Sequence, residues 1–330
     1  MSLPRVGITL GDPGGIGPET VLKALSPENF LPEVSYLLFG SSSVIEEEKR
    51  ILGLDTEIQP YEKAKESQTP SISLLEIETP LKTIKKGFPS KENGKASFLF
   101  FKRAVEEAEK GTVQAFVTAP ISKHSWNLAG LKWSGHTDFL SQAYSQAIMT
   151  FWSEKLKVAL FTHHLPLKSA LEEIKRKNLQ DFFLNLHKTI ETIKPGKFQY
   201  MVAGLNPHAG EEGLLGSEEG EEIIPAITYA QKKGMRISGP YPPDTVFWKA
   251  LNCSEKIVIA LYHDQGLIPF KLESFEKGVN VTLGLPFIRT SPDHGTAFDI
   301  AGQGKASADS MVEAIKLACR LSPDLFKFSS

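Results

Sequence analysis

The sequence predicts an α/β protein of two domains built on mostly parallel sheet. Three observations point there. Short β-branched or apolar runs alternate with longer segments of helical period along most of the chain, the pattern of a parallel sheet covered by helices. The apolar runs give way to polar or small residues at their C-terminal ends, the edge where open α/β sheets bind ligands. A length of 330 residues with 41% hydrophobic content exceeds what one core usually holds.

The strands are expected within "RVGITL", "VSYLLFG", "QAFVTAP", "VALFTHH", "QYMVAGLN" and "IVIALYHDQ". Helices are expected at 95–110, 171–193, 218–233 and 309–321, and the polar stretch 62–71 reads as a surface loop. Thirty-seven Lys and Arg against 39 Asp and Glu leave a net charge of -2, which gives no field to gather nucleic acid or an anionic membrane. The expected partner is a small molecule. No apolar run approaches the roughly 20 residues of a membrane span, and the N-terminus lacks the pattern of a leader. Cys253 and Cys319, far apart in sequence, read as core thiols of a cytoplasmic protein.

The stretch "TLGDPGGIGPET" looks at first like a nucleotide loop. It fails the dinucleotide pattern, because Thr20 stands where a third glycine is required and the second strand ends "LFGSSS" with no acidic residue. No Gly-Lys-Ser/Thr follows, which excludes a P-loop. Glu19 would repel a phosphate arriving at the helix start, while Pro18 suits its first turn. The expectation is therefore a tight turn lining a pocket, with Asp12 bordering the cofactor or substrate.

Three histidines follow three different strands: His164 in "FTHHLPL", where a period of two sends His163 to the opposite face, His208 in "GLNPHAGEEG" and His263 in "LYHDQG". Converging there, they would make a divalent-metal site with open positions. His124 and His187 read as surface residues. "SGHTDFL" places His136 and Thr137 ahead of a helix that Ser134 or Thr137 would cap. Beyond lie Lys271, Asn280 and Arg289, then a glycine-rich loop from His294 to Gly304. An arginine in the apolar context "PFIRTS" calls for an anion, since guanidinium does not discharge.

With these residues assembled, the chain resembles the 4-hydroxythreonine-4-phosphate dehydrogenase family over nearly its whole length. "GITLGDPGGIGPE", "VTAPISK", "GHTDFL", "THHLPL", "GLNPHAGE", "PDTVF", "YHDQGLIPFK" and "GVNVTLGLPFIRTSPDHGTA" occur in the family's order. The resemblance implies a fold like that of isocitrate and isopropylmalate dehydrogenases, not a classical Rossmann fold, with an interdomain cleft and a homodimer whose active site draws on both subunits. It implies a first domain of residues 1–125 plus 285–330 carrying the adenosine loop, and a second of 126–284 carrying metal and substrate residues. It implies NAD, with NADP as the alternative, held by "HGTAFDIAGQG" through His294, Gly295, Thr296, Ala297, Asp299 and Gly302; Phe298 departs from the wider group's proline. Asp299 would accept ribose hydroxyls and repel a 2′-phosphate.

By the same resemblance, the metal ligands fall on His164, His208 and His263 and the substrate contacts on His136, Thr137, Lys271, Asn280 and Arg289. Three imidazoles suit zinc or cobalt better than magnesium. His136, Lys271 and Asp244 are the candidate catalytic residues, Asp244 for orienting the cluster, with the general base unassigned. The implied reaction oxidises 4-phosphooxy-L-threonine and decarboxylates the product to 3-amino-2-oxopropyl phosphate, a step of vitamin B6 synthesis. The rivals are a paralogous dehydrogenase of 4-phospho-D-threonate or D-erythronate and, in another class, a zinc hydrolase of a phosphorylated small molecule.

Overall fold

A computed structural model describes residues 4–65, 67, 69–81, 83–251 and 253–322. Its strands, in chain order, are β1 (Arg5–Thr9), β2 (Ser35–Gly40), β3 (Gln59–Pro60), β4 (Ile72–Glu76), β5 (Ala115–Thr118), β6 (Ile148–Trp152), β7 (Lys157–Leu160), β8 (Gln199–Ala203), β9 (Ile237–Tyr241), β10 (Lys256–Ala260), β11 (Val279–Leu283) and β12 (Ile288–Pro292). The chain divides into two compact units, one formed by the segments up to Ser145 and from Leu285 onward, the other by Gln146–Gly284. The first border lies after Ser145, whereas the sequence reading put it at 125. The helix His136–Ala143 belongs to the first unit because its rings are packed there: His136 lies 4.5 Å from Phe101 and 5.5 Å from Trp126, and Phe139 5.3 Å from Phe101.

In the first unit the strand order is β3-β4-β2-β1-β5-β12, and every pair is parallel. Such strands are buried on both faces, which explains the near-continuous apolar runs of β1 and β2. The helix Lys91–Glu109 covers the sheet. Ser90 caps it by accepting from the Asn93 amide at 3.1 Å, and Ala96, Phe100, Phe101, Ala104, Val105 and Ala108 form its buried stripe. Trp126 is fully buried in this core, its indole N–H donating to Ser97 Oγ at 2.9 Å. The chain leaves β1 toward β2 on one side and later returns to β5 and β12 on the other, so the C-terminal ends of β1 and β5 form a switch point.

The second unit has the order β11-β6-β7-β10-β8-β9. The β7, β10, β8 and β9 neighbours are parallel, while β6 runs antiparallel to both β11 and β7. Its core holds Phe151, Leu160, Met201, Phe247, Val258, Leu267 and Phe270.

Helices depart from expectation in three places. The segment 171–193 is two helices, Leu167–Glu172 and Arg176–Ile193, because the chain turns extended at Lys175 after burying Ile174. The segment 218–233 opens with a wide π turn, Glu219–Ile223, before the α-helix Ile224–Lys232. Pro225 has no N–H for the carbonyl four residues back, which accounts for the wide turn. Within the expected loop 62–71, Tyr61–Ala64 is a short helix, and residues 66 and 68 lie outside the described residues. Cys253 and Cys319 are half-buried free thiols, not core residues.

Candidate functional site

Thr118 ends β5, Arg289 lies on the neighbouring β12, and His136 begins the helix His136–Ala143; all belong to the first unit. Arg289 is 2% exposed and donates to Thr118 Oγ1 at 2.5 Å and to His136 Nδ1 at 3.4 Å. Burial pulls the guanidinium down to about 9, a cost that an incoming phosphate or carboxylate would offset.

Burial, then the neighbouring Arg289 charge, holds His136 neutral, well below the usual histidine value. A guanidinium only donates, so His136 Nδ1 accepts and the ring proton sits on Nε2. That N–H is buried without a hydrogen-bond partner among the described residues, a donor suited to a substrate oxygen. Thr137 is next to it, half-buried. Neither Ser134 nor Thr137 caps the helix; Gly135 is at that position, and Asp138 Oδ2 takes the Ser134 amide at 2.9 Å.

The second unit carries the histidines. β7 ends at Leu160, so His163 and His164 lie beyond it and strand alternation does not govern them. Their rings meet edge-on at 5.2 Å, and the ring of His164 lies 5.6 Å from that of His263. His263 opens the helix His263–Ser274 rather than closing a strand. His208 stands exposed in the segment Pro207–Gly213.

His263 Nδ1 is 2.6 Å from Asp264 Oδ1, and His208 Nδ1 is 2.8 Å from Glu211 Oε2. A carboxylate accepts, so each Nδ1 carries a proton; in the neutral ring Nε2 then keeps its lone pair, the tautomer that metal-binding imidazoles adopt. The donor chemistry therefore fits a divalent metal, and His164 and His263 are adjacent. The third member is not brought in: no group of three or more His, Cys, Asp or Glu is gathered at metal-binding distance among the described residues.

Lys271 lies in the last turn of the His263 helix, its ammonium 5.7 Å over the Phe275 ring. Asn280 is buried in β11, and Asp244 stands exposed in the first turn of the helix Pro243–Ala250.

The loop His294–Gly304 follows β12 in the first unit, with Gly302 and Gly304 at φ 77° and 67°. An alanine Cβ at Gly295 would meet nothing within 4 Å, so this backbone is open to a ligand's close approach. His294 Nδ1 lies 3.1 Å from the Gly295 carbonyl and must donate to it, leaving Nε2 as a buried acceptor without a partner among the described residues. A ribose hydroxyl or an adenine amino group is the kind of donor it lacks. Asp299 is exposed, and Thr296 and Ala297 are half-buried.

The opening glycine turn is different. Its amides are spent inside the protein: Asp12 N on Pro120 O at 2.9 Å, Gly14 N on Asp12 Oδ1 at 2.9 Å, Gly15 N on Asp12 O and Ile16 N on Thr296 O, both at 3.0 Å. Asp12, expected from the sequence to border the cofactor or substrate, is 0% exposed. Glu19 is equally buried and accepts from Lys23 Nζ and Ala306 N, each at 2.8 Å.

Backbone strain supplies a separate pointer. Among the described non-glycine residues, positive φ occurs at His164 (52°), at His208, Ala209, Glu211 and Glu212 (43–57°), and at Ala297 (40°). Such conformations cost about 1–3 kcal/mol each and persist where function demands them. All three segments are ones that the motifs single out. Sequence reasoning missed Thr118 and the two carboxylates on the imidazoles; Glu211 and Asp264 stand within three residues of their histidines, the one signal available.

The model of the family "Pyridoxal phosphate biosynthetic protein PdxA" matches residues 33–318. A curated 4-hydroxythreonine-4-phosphate dehydrogenase of Aquifex aeolicus is 41% identical over 318 residues, 95% of this chain and 97% of that protein. The D-threonate 4-phosphate dehydrogenase of Salmonella typhimurium is 41% identical over 336 residues, 97% of this chain and all of its own. The crystal structure of 4-hydroxythreonine-4-phosphate dehydrogenase from Klebsiella pneumoniae superposes with a TM-score of 0.85 at 36% identity, covering 98% of each chain. By the extent of these matches and the motifs behind the geometry above, the chain belongs to the PdxA family of pyridoxal phosphate biosynthetic proteins.

Proposed function

We propose that the protein oxidises 4-phosphooxy-L-threonine with NAD and a divalent metal, and that the β-keto acid formed decarboxylates to 3-amino-2-oxopropyl phosphate. The observation that carries this reading is Arg289, a cation 2% exposed that donates to Thr118 Oγ1 and His136 Nδ1 and is pulled down to about 9 by burial. Such a cation suits an anionic substrate. Arg289 would clamp its phosphate or carboxylate, and the His136 Nε2–H would donate to a second oxygen. Thr137, Lys271 and Asn280 are assigned as further substrate contacts on the family resemblance, and Asp244 as an orienting residue.

His164, His208 and His263 would hold the metal, His208 and His263 through Nε2. Zinc or cobalt fits these neutral donors better than magnesium. When bound, the ion would supply the Lewis acidity that lowers the pKa of a coordinated hydroxyl. His294, Gly295, Thr296, Ala297, Asp299 and Gly302 would hold NAD, which when bound would supply the hydride acceptor. The exposed Asp299 favours NAD over NADP, because it would repel a 2′-phosphate.

The working form is a homodimer in the cytoplasm. The helix His263–Ser274 and the residue after it expose Ile268, Leu272 and Phe275, 61%, 84% and 75% accessible, in a stripe spaced for one helix face. A second copy covering it would also reach Lys271, which rests over Phe275. No helix of the described residues is long and apolar enough to cross a membrane.

The test is NAD reduction followed by absorbance with 4-phosphooxy-L-threonine and 4-phospho-D-threonate side by side. Turnover of the first is expected; turnover of the second alone assigns the chain to the activity named for the Salmonella relative. Arg289→Ala should lower kcat/KM by about 2–3 kcal/mol, on the order of 100-fold, since a charged hydrogen bond to substrate is lost. An unchanged kcat/KM removes Arg289 from the site.

A further inference from the structure

We propose that Phe101 and Trp126 are positioning residues for His136: their rings hold the imidazole in the orientation that turns Nδ1 to Arg289 and leaves Nε2–H for the substrate. The inference rests on the reading of His136 as a substrate donor given above. The bond from Arg289 Nη2 to His136 Nδ1, at 3.4 Å, is at the long limit of a hydrogen bond and too weak to fix the ring by itself. The neighbouring rings do the holding. Phe101, from the helix Lys91–Glu109, lies 4.5 Å from the imidazole between ring centres, tilted at 47°. Trp126, from the helix Lys123–Leu128, meets it edge-on at 5.5 Å and 85°, an arrangement that aromatic rings favour. Phe101 and Trp126 are fully buried and His136 is 9% exposed, so the imidazole is gripped from two helices and closed off from water.

The grip is itself anchored. Trp126 Nε1–H donates to Ser97 Oγ at 2.9 Å, and Ser97 Oγ donates to Gly94 O at 3.0 Å, which ties the indole to the helix that carries Phe101. Gly94 lets the two helices approach, because a Cβ there would run into the Ser125 carbonyl. Phe101 and Trp126 bring no charge to the imidazole. The charge facing it is Arg289 on β12, whose guanidinium also donates to Thr118 of β5. Asp138, on the imidazole's own helix, is taken up by the Ser134 amide at 2.9 Å and by Gln142 Nε2 at 3.0 Å. Burial, then Arg289, keeps His136 below the usual histidine value, so a loosened grip that admitted water would raise it and free the ring to turn over, putting a C–H where Nδ1 now faces the guanidinium.

The experiment follows the histidine side-chain 15N signals of the full-length protein without substrate, the His136 signal being the one that His136→Ala removes. KM for 4-phosphooxy-L-threonine, KM for NAD and a thermal melt are measured alongside. Unaltered protein should show His136 neutral and protonated on Nε2 from about pH 6 to pH 8. Phe101→Leu should give mixed tautomers or a His136 that titrates in that range, and should raise the substrate KM roughly fivefold, the scale of one lost aromatic pair, with the KM for NAD unmoved. A merely structural residue would lower the melting temperature and leave the His136 signal alone. A folded Phe101→Leu protein with an unaltered His136 signal and substrate KM overturns the proposal. Should that variant fail to fold, Trp126→Phe decides: its smaller ring loses the bond to Ser97, and an altered signal with a roughly twofold rise in substrate KM supports the proposal, whereas no change in either overturns it. If His136→Ala leaves the substrate KM unmoved, the donor reading falls and the positioning role with it; a raised KM in His136→Ala with nothing moved by Phe101→Leu fells the positioning role alone.

Discussion

The two glycine-rich loops of the first unit, Gly11–Gly17 and His294–Gly304, use the same residue for opposite ends. In the first, an added Cβ would collide with protein at every glycine: Pro120 O at 2.4 Å from Gly11, Asn93 Nδ2 at 2.3 Å from Gly14, Thr296 at 2.8 Å from Gly15 and Leu10 O at 2.6 Å from Gly17. In the second, Gly295 meets nothing, and Gly302 and Gly304 meet only side-chain atoms at 3.4–4.0 Å. The first loop is internal scaffold and the second an open surface. They are also joined, through Ile16 N on Thr296 O and through Lys23, which donates to Gly304 O and Ala306 O at 2.8 Å each. The loop that looks like a nucleotide site thus supports the one proposed to be it.

The sharpest way to break this comparison is Gly11→Ala. The position has φ 71°, and its new methyl group would press on the Pro120 carbonyl, a backbone atom with little room to yield. Left-handed strain and overpacking together should cost about 2–4 kcal/mol, read as a lowered midpoint in urea unfolding. A midpoint within error of the unaltered protein would mean the loop is looser than its contacts imply.

Asp12→Asn tests the same loop with a smaller effect of opposite sign. Burial pushes the Asp12 carboxyl up from 3.8, against donation from Ser125 and the Gly14 amide. The folded state then binds protons more tightly than the unfolded chain, so stability falls as pH rises from 3.8 through the folded value, and the full penalty is in place at neutral pH. Asparagine keeps the bond from Gly14 to Oδ1 without the charge. A gain on the order of 1 kcal/mol is expected at pH 7, with a flatter acid limb in melts from pH 4 upward. If activity collapses while stability rises, Asp12 serves the reaction after all.

What the sequence made legible divides along similar lines. Residue types that carry chemistry announced themselves: an arginine in an apolar string, three histidines after strands, a second glycine loop. The supporting bonds did not, because they join ordinary residues to backbone atoms far away, as Glu19 does to Ala306 N and Gln265 to Gly204 O. β6 and β11 escaped for a related reason. Each is five residues long, and their pairing, Thr150 opposite Val281, joins segments over a hundred residues apart whose local patterns are unremarkable. The histidine rings are the intermediate case: their residue type was readable, but the left-handed backbone at His164 and His208, which decides where they point, was not.

Gly295→Ala is the counterpart of Gly11→Ala and should barely touch stability. Nothing lies within 4 Å of the added methyl, and the glycine is exposed with no positive φ. A change within about 0.5 kcal/mol in the unfolding midpoint is expected. The methyl would instead occupy the space a dinucleotide needs for close approach to this backbone. The KM for NAD should therefore rise, roughly fivefold for about 1 kcal/mol of lost contact, with the KM for the phosphorylated substrate unmoved. The split between the two constants is the informative reading. A rise in both would place the loop against the substrate, and a rise in neither would show that its openness serves some purpose other than cofactor binding, which would also remove His294 and Asp299 from the NAD site.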